Sequence, residues 1–489
     1  MRHLISFVIF SSFLFPVFSQ EKVVKFTLDD VIRIAKERSP DAILAKHRFR
    51  SSFWQFRSFQ ANYLPSVNLN TTLPNFNRSI TWNDQIQNIS VRNSLTNYGQ
   101  ISLFQNIGFT GGNISLNTDL EQINLLGVKP STEYLSSPIN INYNQPLFGF
   151  NSMNWERKIQ PLLYEEAKKT YIDAVELIAI RAVGRFFDLA LAQLNLKIAV
   201  INYSNSDTLY KIAKGRYNLG TIAENDVLQM ELAFLNAKTT LTRAEVDLKL
   251  QKTRLRSFLG YNEKLDFELA LPDNIPSMEI LYEKVLDLAM KNNPDVMSWQ
   301  RQRIEAKRDV AQAKGERREI NLDLTYGLNH DRTDRIESAY RDPFYDKQIA
   351  SISIKMPLID WGRGRGRVKM AESNEELINV QVQQAQIDFE QNIFLQVMQF
   401  NMQDDQVVIS AKSDTIGQKR YDVTKQRFLI GKIDVLNLND ALKEKDSAKR
   451  GYISSLRDYW NSFYTLRQLT LYDFVNNQSL SEEFDKLIK

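Results

Sequence analysis

The sequence predicts an α+β membrane protein, internally duplicated, in which β-barrel strands continue into long helices. Three observations carry that expectation. The chain opens with an export signal, yet no later apolar run is long enough to cross a bilayer as a helix. Its second half repeats the motifs of the first in the same order. Each half joins period-two strands to a helix about 100 Å long, too long for a compact domain.

Composition removes several classes of function. The 489 residues carry 62 Lys and Arg against 58 Asp and Glu, a net charge of +4. That balance excludes a nucleic-acid binder held by bulk charge, because phosphate binding needs a concentrated basic surface. Cysteine is absent, which removes disulfides, thiolate nucleophiles, Cys-ligated zinc and a lipidated N-terminal Cys. Only three His are present and one is His3, so a His-rich metal site is not expected. No nucleophile–His pair is identifiable, and the sequence predicts no enzyme, no cofactor and no metal.

The first 20 residues are the export signal. Arg2 gives a basic start, and an apolar run from Leu4 to Phe18 of about 15 residues falls short of the roughly 20 a spanning helix needs. Cleavage is expected near Ser19 or Gln20. The mature chain then works outside the cytoplasm, as a periplasmic, secreted or β-barrel protein.

The duplication is legible residue by residue. Val31, Ala35, Pro40 and Asp41 recur as Val285, Ala289, Pro294 and Asp295. Pro146, Leu147 and Phe148 recur as Pro357, Leu358 and Ile359, and Arg216 and Gly220 recur as Arg427 and Gly431. The first spacing is 254 residues and the later two are 211, so the first half holds about 43 extra residues. They are placed in the Asn-rich stretch 73–135. The resulting division is 21–274 for the first repeat, 275–472 for the second and 473–489 for a tail.

Within each repeat the order is helix, strands, long helix, turn, shorter helix. Residues 27–62 put Leu28, Val31, Ile32 and Ala35 on one face, with Thr27 and Asp30 as a capping signal. Pro40 breaks this helix near Ser39, and Leu64 with Pro65 ends it. The helix 152–217 has two apolar seams. One runs through Ile172, Val175, Ala179, Ala182, Phe186 and Leu189, the other through Ile180, Val183, Phe187, Leu191, Leu194 and Ile198. Two seams suit a neighbour on each side, as in a ring of helices; a globular bundle would also be widely apolar. Helices 27–62 and 225–260, stacked, match one long helix. The second half repeats this with 362–427 beside 279–315 and 434–468.

The strands alternate. Ile320, Leu322, Leu324, Tyr326 and Leu328 interleave with Asn321, Asp323, Thr325, Gly327 and Asn329. Ile352 and Ile354 alternate with Ser351 and Ser353, Ile139 and Ile141 with Asn140 and Asn142, and Val67 and Leu69 with Asn68 and Asn70. One apolar and one polar face suit lipid outside and water inside, or a half-buried sheet of a soluble domain. Four strands per chain cannot close a barrel, whereas three chains would supply 12. Two further runs, 100–106 and 112–119, are expected as an extra hairpin outside the membrane, with added barrel staves as the alternative.

Taken together these motifs resemble the TolC family of bacterial outer-membrane channels over about 26–472. The resemblance implies a homotrimer, with a 12-stranded barrel in outer-membrane lipid and a 12-helix periplasmic tunnel. It also implies an equatorial belt to which 261–277 and 469–489 contribute. Partners would be a periplasmic adaptor protein and an inner-membrane RND or ABC transporter. The implied function is efflux of small toxic molecules; the alternatives are type I protein secretion or a periplasmic coiled-coil scaffold without a pore. The family places the turns at Arg216, Gly220, Arg427 and Gly431 at the periplasmic tip. Gate positions of the family fall on Asp226, Asn437, Asp440 and Phe428. Ile433 stands where the family often has Arg, so a charged latch is incomplete, with Asp434 beside it. Asp226 and Asp440 read equally as helix N-terminal charges.

Other constellations are plainer. The run Gly362, Arg363, Gly364, Arg365, Gly366, Arg367 lacks the ending of a phosphate loop and suggests a cationic collar at the barrel–helix junction. The stretch 331–347 reads as an external loop. Asp404 and Asp405 read as a polar helix face.

Overall fold

The computed structural model describes residues 24–84, 87–127, 129–261, 267–272, 275–276, 278–341, 347–355, 358–430, 432–433 and 435–488. The export segment 1–20, Met356, Pro357, Gly431 and Asp434 lie outside the described residues.

The chain runs β1 (Val24–Phe26), α1 (Leu28–Arg38), α2 (Pro40–Ala61), then four strands: β2 (Ser66–Asn83), β3 (Asn88–Ile107), β4 (Gly112–Leu126) and β5 (Ser131–Leu147). The helices α3 (Ser152–Asn218) and α4 (Glu224–Phe258) follow, then β6 (Phe267–Leu269). The second half holds α5 (Tyr282–Asn292), α6 (Pro294–Arg318), β7 (Ile320–Thr333), α7 (Ser338–Arg341), β8 (Lys347–Lys355), α8 (Arg363–Leu429) and α9 (Val435–Thr470). The tail adds β9 (Tyr472–Asp473), β10 (Gln478–Ser479) and α10 (Phe484–Ile488). The repeat is therefore physical. The two long helices, α3 and α8, each have 67 residues, about 100 Å.

The prolines act as their chemistry requires. Ser39 and Asn293 sit in extended conformation before Pro40 and Pro294, and each splits its helix in two. Both are buried, and both side chains then cap the next helix: Ser39 Oγ accepts from Ala42 N, and Asn293 Oδ1 from Asp295 N. Thr27 and Asp30 form the expected capping box. The repeated positions Val31, Ala35, Val285 and Ala289 are all fully buried in the main core. That core also holds Phe186, Phe187, Leu189, Ile393 and Leu466, so it lies between the two halves rather than within either.

A charged knot fixes this level. Glu176 of α3 is buried and binds Lys36 Nζ at 2.5 Å and Arg467 Nε at 3.1 Å. Arg467 also reaches Asp473 Oδ2 at 2.8 Å. Thus α1 and α9 meet on one carboxylate of α3, and the tail joins them through Arg467. Beside it, burial pushes the Asp173 carboxyl up to about 6, although Gln468 donates a bond to it at 3.0 Å. The strands β1 and β6 pair in parallel, and α10 packs Phe484 on Phe49 of α2, with ring centroids 5.1 Å apart.

The sheet departs from expectation. Four strands per chain were expected; among the described residues the main sheet has six, all antiparallel, in the order β2-β3-β4-β5-β7-β8. The expected extra hairpin is β3–β4, and it is hydrogen-bonded between β2 and β5 within the one sheet. The alternation of β3 and β4 supplies the physical reason. Ile101 and Leu103 pair with Leu69 and Val67, while Ser102 pairs with Asn68, so the added strands keep the faces of their neighbours. One row across the apolar face is Val67, Leu103, Leu116, Ile141 and Tyr326; one row across the polar face is Asn68, Ser102, Asn117, Asn140 and Gly327. The polar side is bonded laterally: Thr325 Oγ1 donates to Asn142 Oδ1 at 3.0 Å, and Asn144 Nδ2 to Asp323 Oδ1 at 2.5 Å.

The stretch expected as an external loop, 331–347, joins β7 to β8; residues 342–346 lie outside the described residues, and the described part packs on the sheet through α7. Tyr340 donates to the Asp119 carbonyl at 2.9 Å, and Ser136 Oγ donates to the Ala339 carbonyl. The cationic run is partly neutralised, since Arg367 pairs with Glu316 at 2.8 Å. Asp360 accepts from the amides of Gly362 and Gly364 at 3.0 and 2.7 Å, which starts α8. Among the described residues no helix is long and apolar enough to cross a membrane.

Candidate functional site

The candidate site is the helical end remote from the sheet, where α3 turns into α4 and α8 into α9. At the first turn Gly220 has φ +71°, a conformation that favours glycine. Its amide bonds to the Tyr217 carbonyl at 2.8 Å, and Thr221 N to the Arg216 carbonyl at 3.0 Å. This pair of bonds is a Schellman motif, which satisfies the last carbonyls of α3 and reverses the chain. At the second turn Lys432 N bonds to the Arg427 carbonyl at 3.0 Å, matching the longer of those bonds. The repeat thus extends to the turn chemistry, although Gly431 itself is outside the described residues.

Both turns come together. Arg216 and Asp226 from the first half and Phe428 and Ile433 from the second line one cleft of about 340 Å³. Its remaining walls are mostly aliphatic, including Leu209, Ile212, Met230 and Leu436. Asp226 occupies the first turn of α4 beside Glu224, where carboxylates complement the helix dipole. Ile433 adds to the apolar part of this lining.

The remaining residues divide by exposure. Asn437 and Asp440 lie on the first two turns of α9 and are exposed. Phe428 is half-buried and packs with Tyr421, Leu438, Ala441 and Leu209 in a small tip core. The structure therefore groups Arg216, Asp226 and Phe428, sets Asp440 and Asn437 apart on the neighbouring face, and leaves Arg427 exposed on α8. Lys445 stands 4.4 Å from the Tyr421 ring centroid and closes this core from above.

Polar rungs above the tip hold α9 between the two long helices, and sequence reasoning missed them. Asn202 of α3 donates to Asp446 at 2.8 Å, Lys449 pairs with Asp414 of α8 at 2.7 Å, and Arg457 pairs with Asp188 of α3 at 2.9 Å. Their partners are 244, 35 and 269 residues apart, so no local pattern marks them. Among the described residues no group of His, Asp and Glu could hold a metal ion.

The family described as outer membrane efflux protein matches residues 31–261 and 285–470. No curated protein matches the sequence. Among solved structures, the chain is similar to the Campylobacter jejuni CmeC outer membrane channel, at 14% identity and a TM-score of 0.68, covering 94% of this chain and 88% of that one. It is also similar to CusC, at 14% identity and TM-score 0.64, covering 92% of each chain. The Vibrio cholerae outer membrane protein VceC matches at 13% identity and TM-score 0.62, covering 91% of this chain and 95% of that one. At such identities the likeness is one of fold.

Proposed function

The chain belongs to the outer membrane efflux protein family, and from that premise we propose that three copies form a passive duct for small toxic molecules. The sheets would stand in outer-membrane lipid and the helices cross the periplasm to an adaptor and an inner-membrane RND or ABC transporter. The observation that supports this most is the pair of equal 67-residue helices rising from a sheet with one apolar and one polar face. A helix of that length needs neighbours along its whole extent, and apolar residues such as Leu377, Phe394, Leu395 and Met402 of α8 are exposed in the single chain. Copies of the same chain would cover them.

In this reading the tip is the gate. Three copies of exposed Asp440 would ring the passage and favour cations. Asn437 lies one helical turn away on the same face. Asp226 and Arg216 would line the outer cleft, and Phe428 would anchor α8 to α9 rather than obstruct the lumen. Gly220 and Gly431 would set the helix reversals.

The test is drug susceptibility of a strain that lacks this chain but keeps its pumps. Lower inhibitory concentrations for dyes, detergents and antibiotics, restored by the wild-type chain, are expected. Unchanged susceptibility with loss of a secreted polypeptide would replace efflux by protein secretion.

A further inference from the structure

The hairpin β3–β4 is not required by the repeat, since the second half supplies only β7 and β8. Three observations say where it stands. First, its apolar residues continue the apolar face of the sheet: Ile101, Leu103, Ile114 and Leu116 are 38–51% exposed, as Ile139 and Ile141 of β5 are at 42% and 37%. Second, its inner turn is built into the sheet–helix junction. Asn151, the N-cap of α3, donates to the carbonyls of Gly108 and Phe109, both at 3.1 Å, while its Oδ1 accepts from Asn154 N. The buried Gln145 donates to the Thr110 carbonyl at 3.1 Å, and a Cβ on Gly112 would meet the Asn144 carbonyl at 2.6 Å. Third, Phe109 in that turn is 93% exposed, like Phe148 and Trp361 at the two strand-to-helix junctions, 78% and 95%. Exposed aromatics at one level mark a membrane interface. A hairpin lying outside the membrane would have no use for any of these.

We propose that β3 and β4 stand in the membrane wall, so that three copies close into an 18-stranded barrel instead of a 12-stranded one. This rests on the trimeric channel reading above. The edges suit closure, because β2 runs away from the helices and β8 towards them; β2 of one copy meets β8 of the next antiparallel. Both edges are apolar on the lipid side, through Val67 and Leu69 on β2 and Ile352 and Ile354 on β8. With strands about 4.8 Å apart and tilted about 40°, 18 strands give a backbone diameter of about 36 Å, against about 24 Å for 12. The outer-membrane exit is then wider than the family's usual strand count gives, and size selection falls on the helical tip. Cargo bulky in cross-section, once past the tip, meets no second constriction.

The absence of cysteine makes the test direct. Single variants Leu103→Cys on β3 and Leu116→Cys on β4 are placed in the wild-type assembly in lipid vesicles, with Ile141→Cys and Ile352→Cys as references and Ser102→Cys on the polar face. A charged, water-soluble maleimide is the probe. Positions 103 and 116 are expected to react as slowly as 141 and 352, on the order of tenfold slower than 102, because a charged reagent does not enter the hydrocarbon region. Fast reaction at 103 and 116 with slow reaction at 141 and 352 would overturn the 18-stranded wall and leave the membrane barrel standing. Fast reaction at all four lipid-side positions would remove the barrel reading and the proposal with it. Electron microscopy of the wild-type assembly gives an independent readout: a wall about 36 Å across supports the proposal, and one about 24 Å across overturns it.

Discussion

Replacing Asp173 by Asn is expected to stabilise the protein at pH 8 and to change it little near pH 4. Burial is the main force on this carboxyl, raising it from its ordinary value of 3.8 to about 6, and the charges of Asp295 and Glu176 push the same way. The bond from Gln468 opposes them without winning. A carboxyl whose folded value is raised carries no penalty while protonated in both states. The penalty grows as pH climbs through 3.8, where the unfolded chain ionises, and levels off above about 6. Roughly two units at about 1.4 kcal/mol each make the full penalty about 3 kcal/mol. Asn keeps the oxygen that Gln468 binds and cannot ionise, so it removes the penalty alone. Denaturant unfolding of wild type and variant, in detergent and from pH 4 to pH 8, measures this. The difference should open between pH 4 and 6 and then stay flat. A difference that does not change with pH, or a wild type more stable than the variant at pH 8, would show that burial of the Asp173 carboxylate carries no such penalty.

Other perturbations test the same framework. Glu176→Ala strands Lys36 and Arg467 without their shared carboxylate and should cost about 3–5 kcal/mol, read as a fall in the unfolding midpoint; Glu176→Gln should cost less. Gly220→Ala should cost about 1 kcal/mol from its backbone alone, since nothing lies near an added Cβ. Gly260→Ala should cost more, about 2–3 kcal/mol, because its Cβ would meet the Arg38 carbonyl at 2.9 Å. Thermal unfolding of the two variants side by side checks the order. Asn151→Ala removes a helix cap and two bonds to the 108–109 turn and should cost about 2 kcal/mol, with faster proteolysis at that turn as the local readout.

The sequence shows features that local chemistry enforces. Pro40 and Pro294 force breaks, Gly220 allows a reversal, and strict alternation over Ile320 to Leu328 leaves no state but a strand. The repeat was visible because Val31, Ala35, Val285 and Ala289 fill one core. The added hairpin was harder to place. Its apolar side is interrupted by Asn97, Gly99 and Thr118, so its polarity contrast is weaker than that of β7. Only the pairing of Ser102 with Asn68 and of Leu103 with Val67, 34 and 36 residues apart, fixes its faces. The knot at Glu176 was illegible for a related reason, because Lys36 and Arg467 lie 140 and 291 residues away. At the helical end, sequence placed the reversal at Gly220 and Asp226 in the first turn of α4. It did not show that Phe428 packs with Tyr421 and Leu438.

Single-channel recording of the detergent-purified assembly in a planar bilayer, with wild type beside Asp440→Ala, tests whether the chain forms a membrane-spanning duct gated at its helical tip. Discrete, cation-favouring current steps that grow or lose selectivity in the variant are expected. A protein that stays dispersed without detergent and passes no current would contradict the duct.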